Sequence, residues 1–359
     1  MDYLGGVDIG ATKISALVAD PTGEPIARVE EQVQLEKGKI FRFENGIAHY
    51  GLANQVAGLL QQARSSAGIK AIKAIGIGAA GPLQHGSIKD STNLDLSSLP
   101  GEVPRTHLYF PLVEPISNRF GVPVGLENDC NTAVIGEVHY GAGKGTEDKD
   151  MLHLVYVTVS TGFGAGVWTR GGLLKGKEGN AGEMGHFMVK QDGLKCGCGN
   201  YGCAEAYCSG RGIVKNVRMR LVEEGLPRDL PLTRLAEVAA AQAGTPVCEG
   251  PGWGLLEFIT PSIVFQAAGE GDWIAQRSID EASRSGGIAL AGIANAYDPE
   301  IITIGGAIAV NHPGLIDQMS TEMNQHLNVS PPQVRLTPLG RRTVEYGAIA
   351  LARAAIQGG

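Results

Sequence analysis

Apolar residues fall in short runs along this chain, and glycines punctuate the runs. Residues 4–19, LGGVDIGATKISALVA, read as strand, tight glycine turn, strand, with Asp8 near the end of the first strand. DPTGEP at 20–25 is a turn, and IARVEEQVQ after it alternates apolar and polar positions as a third strand. The chain therefore opens on an antiparallel meander. Residues 51–67 carry the spacing of an amphipathic helix, 72–82 form a strand ending in Gly-Pro, and 121–131 form a strand running into the polar tip Glu127-Asn128-Asp129. Residues 131–143 then read as a helix.

At 154–176, LVYVTVSTGFGAGVWTRGGLLKG, the opening layout returns: strand, glycine-rich turn, strand, turn. Helices follow at 212–224 and 274–297, a strand with a Gly-Gly turn at 300–309, and a last helix at 340–356; 244–254 reads as a loop. Duplication of one meander-plus-helices unit explains the repeated layout. The predicted fold class is α/β, with two such lobes and a central cleft in which ligands bind. The expected lobes are 1–124 with the C-terminal helix 345–359, and 125–344.

Composition sharpens this picture. Glycine supplies 52 of 359 residues, about twice the ~7% background. The glycines sit at the ends of apolar runs, where backbone turns sharply or approaches a ligand. Apolar residues at 43% and charged residues at 19% exclude disorder and coiled coil as the dominant character. Thirty Lys+Arg against 37 Asp+Glu give a net charge of −7 without a basic cluster, which argues against nucleic acid or an anionic membrane as partner. No apolar run reaches the ~18 residues of a membrane span. The start MDYLGGVDIG lacks the basic and apolar regions of a signal peptide, so the expected location is the cytoplasm.

Three of the six cysteines, Cys196, Cys198 and Cys203, lie in the glycine-rich stretch CGCGNYGC. Structural disulfides are rare in a reducing compartment, so the cluster reads as a metal site. Three thiolates need a fourth ligand for tetrahedral zinc. His186, ten residues upstream of Cys196 in GEMGH, is the nearest candidate, and Cys208 is the alternative. Cys130, Cys208 and Cys248 read as small buried residues.

Polyphosphates bind where backbone N–H groups converge at glycine-rich turns. Two hairpin turns offer this, Gly10-Ala11-Thr12 and Thr161-Gly162-Phe163-Gly164. Asp8 beside the first can hold Mg²⁺ through water. Gly305-Gly306 after an apolar strand can admit a flat base. Neither GxxxxGK[ST] nor a GxGxxG after the first strand occurs. At the tip of 121–131, a carboxylate can take a proton from an alcohol while the neighbouring amide orients it. The competing reading is a helix cap from Asn128 or Asp129. Glu183 and Glu205 flank the cysteine cluster and read either as solvated charges or as partners for a polyhydroxylated ligand.

Six segments in order resemble the ROK family (repressors, open reading frames, kinases) of the hexokinase–actin–Hsp70 fold. They are VDIGATK, GIGAAGP, LENDCNTAVIGEVHYGAGKG, STGFGAGVWTRGGLLKGKEGNAGEMGH, CGCGNYGCAEAYCSG and ITIGGAIA, and they span nearly the whole chain. The resemblance implies an actin-like ATPase fold and an ATP-dependent kinase acting on the 6-hydroxyl of a hexose. Asp129 would be the general base. Gly81, Asn93, Asn128, Glu183, His186 and Glu205 would join Asp129 in lining the sugar site. Asp8, Gly10, Thr12, Thr161, Gly162, Gly305 and Gly306 would face Mg²⁺ and ATP. His186, Cys196, Cys198 and Cys203 would hold a structural Zn²⁺. Departures from the family pattern are Ala11 and Ala307 at positions where glycine is common, and the bulky Phe163 in the second phosphate turn. Segments 32–50 and 244–260 match no family pattern.

Within that family a sugar-responsive repressor is the alternative to a kinase. Repressors place a helix-turn-helix segment ahead of the kinase-like body, whereas here the first phosphate motif starts at residue 5, which favours the kinase. The CGCG form of the cysteine motif resembles the glucokinase and N-acetylhexosamine kinase branches. Glucose is the expected acceptor, with N-acetylglucosamine or N-acetylmannosamine as alternatives. The resemblance also implies a homo-oligomer, either a homodimer or a homotetramer.

Overall fold

The computed structural model describes residues 2–35, 39–43, 46–89, 94, 99, 107–244 and 253–357. The opening meander is β1 (Leu4–Ile9), β2 (Lys13–Ala19) and β3 (Pro25–Gln32). β1 and β2 are almost wholly buried, whereas β3 alternates, as expected of a strand with one wet face. A hairpin, β4 (Ile40–Phe43) and β5 (Gly46–His49), leads into α1 (Gly51–Ser66). Leu52, Val56, Leu59, Leu60 and Ala63 form the buried stripe of α1. Next come β6 (Ala74–Ala79), β7 (Leu83–Gln84), β8 (Ser87–Lys89), β9 (Leu108–Pro111), α2 (Val113–Phe120), β10 (Val124–Asn128) and α3 (Asp129–His139). α2 stops at Gly121, whose φ of +66° suits a left-handed cap.

The second half begins with β11 (Leu154–Val159), β12 (Phe163–Thr169) and β13 (Gly172–Leu173). A 3₁₀ turn at Met184–His186 and the cysteine loop lead to α4 (Glu205–Cys208), α5 (Gly210–Glu223) and α6 (Pro231–Gln242). A 3₁₀ segment, Trp253–Phe258, precedes α7 (Pro261–Gly269) and the 25-residue α8 (Trp273–Tyr297). Asp272 caps α8 by accepting the N–H groups of Ile274 and Ala275, both at 3.0 Å. The chain ends with β14 (Ile301–Gly305), α9 (Ala307–Asn311), α10 (Pro313–Met323), β15 (Gln333–Leu336) and α11 (Thr343–Gln357).

The duplication is visible in strand order. One sheet runs β3-β2-β1-β6-β10 and another β13-β12-β11-β14-β15. Each lays its meander out third, second, first, and then adds two later strands beside the first. β6 and β10 extend the first sheet in parallel, and β15 is parallel to β14. Segment 32–50 supplies β4 and β5 to a third sheet, β4-β5-β9-β8-β7. Of the unplaced 244–260 stretch, 245–252 lies outside the described residues.

The chain divides into two compact units, Met1–Tyr156 with Gly166–Gly182 and Thr337–Gly359, and Val157–Ala165 with Glu183–Leu336. The expected boundary at 124/125 assigned Asn128 and Asp129 to the second lobe, but they belong to the first unit. Two contacts explain this: β10 pairs with β6, and α3 packs closely on α11, Gly136 against Gly347. Two element ends also correct the sequence reading. The strand at 121–131 stops at Asn128, so Asp129 opens a helix. The stretch after Gly306 is the helix α9 rather than continued strand and turn. Among the described residues, no helix is long and apolar enough to cross a membrane.

Candidate active site

In the first unit, parallel pairing sets the site. Asp8 on β1 stands opposite Gly78 on β6, and Gly78 stands opposite Glu127 on β10. The three strands end at one sheet edge, which carries Asp8, the Gly10–Thr12 turn and the start of α3. Gly10 N–H donates to Lys13 O at 2.9 Å, closing the hairpin, and Thr12 is exposed. Ala11 has no positive φ, so its methyl group fits the turn. The Asp8 carboxyl is pushed up to about 8, first by burial, then by the Glu345 and Asp129 charges, against the pull of Arg28. Glu345 is itself buried and accepts from Ser15 Oγ at 2.5 Å and Arg28 Nε at 2.7 Å, while its Oε2 has no partner. This surplus of buried negative charge suits a divalent cation.

At the β10–α3 junction, Asn128 is the cap of α3. Its Oδ1 accepts Cys130 N–H at 2.9 Å and Asn131 N–H at 3.3 Å. The capping reading of Asn128 therefore holds for its oxygen, while its amide group, a donor, lies beside the Asp129 carboxyl and helps to hold it down. Asp129 Oδ1 accepts Cys130 N–H at 2.8 Å. Burial raises the Asp129 carboxyl above its ordinary value, opposed by hydrogen bonding to Cys130. Glu127, which the sequence reading did not single out, organises the junction. Its Oε1 accepts Asn128 N–H at 3.0 Å and the Asn131 side-chain amide at 3.1 Å, and Lys175 faces its Oε2 at 3.3 Å. Gly81 follows β6 at φ +109°. Asn93 lies outside the described residues.

In the second unit, His186, Cys196, Cys198 and Cys203 bring one donor atom each within 4.8 Å of one another. Cys198 and Cys203 sulfurs are 3.8 Å apart, and Cys196 Sγ lies 3.7 Å from His186 Nδ1. Burial, then the neighbouring cysteines, pushes the Cys203 thiol up to about 12. Three thiolates at this spacing therefore need a cation among them, and a Cys₃His set fits tetrahedral zinc. Cys208 is not the fourth ligand, because it is buried and donates to Ala282 O at 3.4 Å. Cys248 lies outside the described residues. With Nδ1 turned to the sulfurs, His186 Nε2 faces Glu183 Oε2 at 3.9 Å. One imidazole can thus hold a metal and face a ligand at the same time.

The turn between β11 and β12 carries Thr161 and Gly162. Phe163 points inward at 3% exposure, so its bulk stays clear of the turn's outer face. Beside the turn lies a cavity of about 510 Å³ lined by Ser160, Thr161, Gly210, Arg211, Val214, Lys215, Arg218, Pro261, Ala307 and Ile308. Gly306, next to the lining residue Ala307, sits at φ +92°, and an added Cβ there would lie 2.6 Å from Val159 O and 2.8 Å from Thr158 Oγ1. Ala307 starts α9, so a glycine is not needed there. The sequence reading missed Arg211, Lys215 and Arg218. Their i, i+4, i+7 spacing on α5 was the available signal. Hydroxyls, the lining glycine Gly210, apolar walls and three cations suit a nucleoside polyphosphate.

The family model described as "ROK family" matches residues 4–355. The glucokinase of Streptomyces coelicolor is 30% identical over 97% of this chain and 96% of its own. The crystal structure of the ROK hexokinase from Thermus thermophilus superposes with a TM-score of 0.71 at 28% identity, covering 99% of this chain and 100% of that one. The ROK family glucokinase from Streptomyces griseus, solved with glucose and AMPPNP, gives a TM-score of 0.68 at 29% identity, covering 98% and 99%. Both structures share the actin-like ATPase fold. The chain belongs to the ROK family.

Proposed function

We propose that this protein is an ATP-dependent sugar kinase that phosphorylates the 6-hydroxyl of a hexose, with glucose as its acceptor. The observation that carries the reading is Asp129. Its carboxylate is held at the first turn of α3 beside the capping Asn128, and burial raises its proton affinity. Such a group takes a proton from an alcohol more readily than an ordinary aspartate does. The Streptomyces glucokinase relatives support glucose as the acceptor.

Asp129 orients the hydroxyl and receives its proton as the hydroxyl oxygen bonds to the γ-phosphorus. The bond from that phosphorus to the bridging oxygen breaks, and ADP leaves. Little covalent work falls to the protein in such a transfer, and alignment and charge compensation dominate. Asn128 Nδ2, Glu183, His186 Nε2, Glu205 and Gly81 are assigned to the sugar, together with Asn93. Thr161, Gly162, Gly305 and Gly306 are assigned to the nucleotide, with Arg211 as a cation for its phosphates. Asp8, Gly10 and Thr12 serve the metal side of the phosphates. Mg²⁺, when bound, supplies charge neutralisation on the phosphate oxygens. His186, Cys196, Cys198 and Cys203 would hold Zn²⁺ with a full set of four protein ligands, and that clasp would fix the loop that carries His186 and Glu205. The same reading places the enzyme in the cytoplasm as a homodimer or homotetramer.

Phosphorus NMR of the protein with Mg·ATP and glucose tests the reading. Loss of ATP should be matched by ADP and a hexose 6-phosphate. Release of inorganic phosphate alone, or phosphorylation at another hydroxyl, would contradict it.

A further inference from the structure

The donor-side turn, Ser160–Phe163, is braced by one short segment of the chain. Phe163 N–H donates to Glu205 Oε2 at 3.1 Å. Gly210 N–H donates to Ser160 O at 2.7 Å. Gly185 lies flat against Phe163 O, so close that any Cβ there would collide with it. Within the turn, Ser160 N–H closes onto Gly162 O at 2.9 Å. All three braces lie between residues 183 and 210, the segment that also contains His186, Cys196, Cys198 and Cys203. Cys203 is two residues ahead of Glu205, and Cys196 Sγ lies 3.8 Å from Glu205 Oε1. Ser209 fastens the far end, donating to Glu205 O at 2.7 Å and accepting Gly212 N–H at 3.0 Å.

We propose that Glu205 is a positioning residue for the donor turn as well as a sugar-facing acid, so that the cysteine loop and the phosphate turn move as one piece. The proposal deepens the kinase reading and rests on it for the identity of the donor. A carboxylate accepting a backbone N–H makes one of the stronger protein hydrogen bonds. By engaging Phe163 N–H, Glu205 directs the turn to present Thr161 and Gly162 instead. Order in the loop is then transmitted to the turn through the Glu205 side chain, alongside the backbone contacts made by Gly185 and Gly210. Ligands that engage the two ends are coupled to the same extent in both directions.

The test compares Glu205→Ala with Glu205→Gln, with zinc content and thermal melts confirming that each is folded and loaded. Gln keeps an oxygen that can accept Phe163 N–H, whereas Ala does not. Two readouts that need no turnover are followed without sugar: hydrogen–deuterium exchange of 157–165 and calorimetric binding of Mg·ADP. In Glu205→Ala the 157–165 amides should exchange at least ~10-fold faster, and Mg·ADP should bind at least ~5-fold more weakly. Glu205→Gln should stay within ~2-fold of wild type on both while losing affinity for sugar. Wild-type exchange at 157–165 in a folded, zinc-loaded Glu205→Ala protein would overturn the proposal. Failure of the wild-type protein to bind Mg·ADP would count against the kinase reading instead, and the exchange comparison would still decide this one.

Discussion

Asp8 and Glu127 stand in one row of the first sheet, two strands apart, with only Gly78 between them. The row brings acids from distant parts of the sequence to one sheet edge, where Asp8 also feels the charges of Glu345 and Asp129. This concentration of negative charge favours a bound cation and strains the cation-free fold.

That strain has a pH signature. The Asp8 carboxyl is held up to about 8 against an ordinary 3.8. Between those values the folded chain binds more protons than the unfolded chain, so the Asp8 contribution to stability falls as pH rises through that window. Asp8→Asn removes this slope and should raise the melting temperature of the metal-free protein near the upper end of the window by at least ~2 °C. The same variant should lose turnover. A melting temperature below wild type at that pH would contradict the burial argument.

Asp129→Asn separates binding from chemistry. The fold and sugar affinity should be kept to within ~3-fold, while kcat falls by ~10²–10⁴. In the wild-type enzyme, kcat/KM should rise with pH and level off above the Asp129 value, which burial places above the ordinary carboxylate position. Sugar titration by calorimetry and steady-state rates across pH check both expectations. Near-wild-type turnover in the variant would remove Asp129 as the base.

Cys198→Ser takes one thiolate from a set of four ligands. Zinc per chain, measured by elemental analysis, should drop sharply, and sugar affinity should fall with it because His186 and Glu205 lose their frame. Wild-type protein purified without zinc would refute the metal assignment.

Arg211 is exposed at the rim of the 510 Å³ cavity. Arg211→Ala should raise KM for ATP by ~3–10-fold through loss of a charge-assisted phosphate contact and leave KM for sugar within ~2-fold. Equal rises in both would place Arg211 outside the donor site.

Much of this was legible in the sequence because the informative residues are chemically unusual. The repeated meander shows through its paired glycine turns, and two sheets with the same strand order follow from it. Clustered thiols have few structural roles, so spacing pointed to a metal site with His186 or Cys208 as the fourth donor, and the structure groups His186 with the three cysteines. Other features have no such signature. A cap and a sugar ligand call for the same residue at Asn128, and only the hydrogen bonds show its oxygen engaged with the helix. Arg211, Lys215 and Arg218 look like any solvated helix face until the cavity beside them is seen. The C-terminal helix was assigned to the first lobe from the sequence, but β10 and α3 were not, because β10 rejoins a sheet built much earlier in the chain, a matter of long-range pairing that local patterns do not carry. The apolar run after Gly306 is too short for its periodicity to distinguish helix from strand.

The most direct test of the central claim is a coupled ADP-release assay with Mg·ATP and zinc-loaded protein. The panel is glucose, mannose, fructose, N-acetylglucosamine, N-acetylmannosamine and a blank without sugar, with Asp129→Asn run in parallel. Turnover that needs a sugar, is fastest with glucose and is lost in Asp129→Asn is the predicted result. Faster turnover on an N-acetyl sugar would contradict glucose as the acceptor, and no turnover on any sugar from folded protein would contradict the kinase itself.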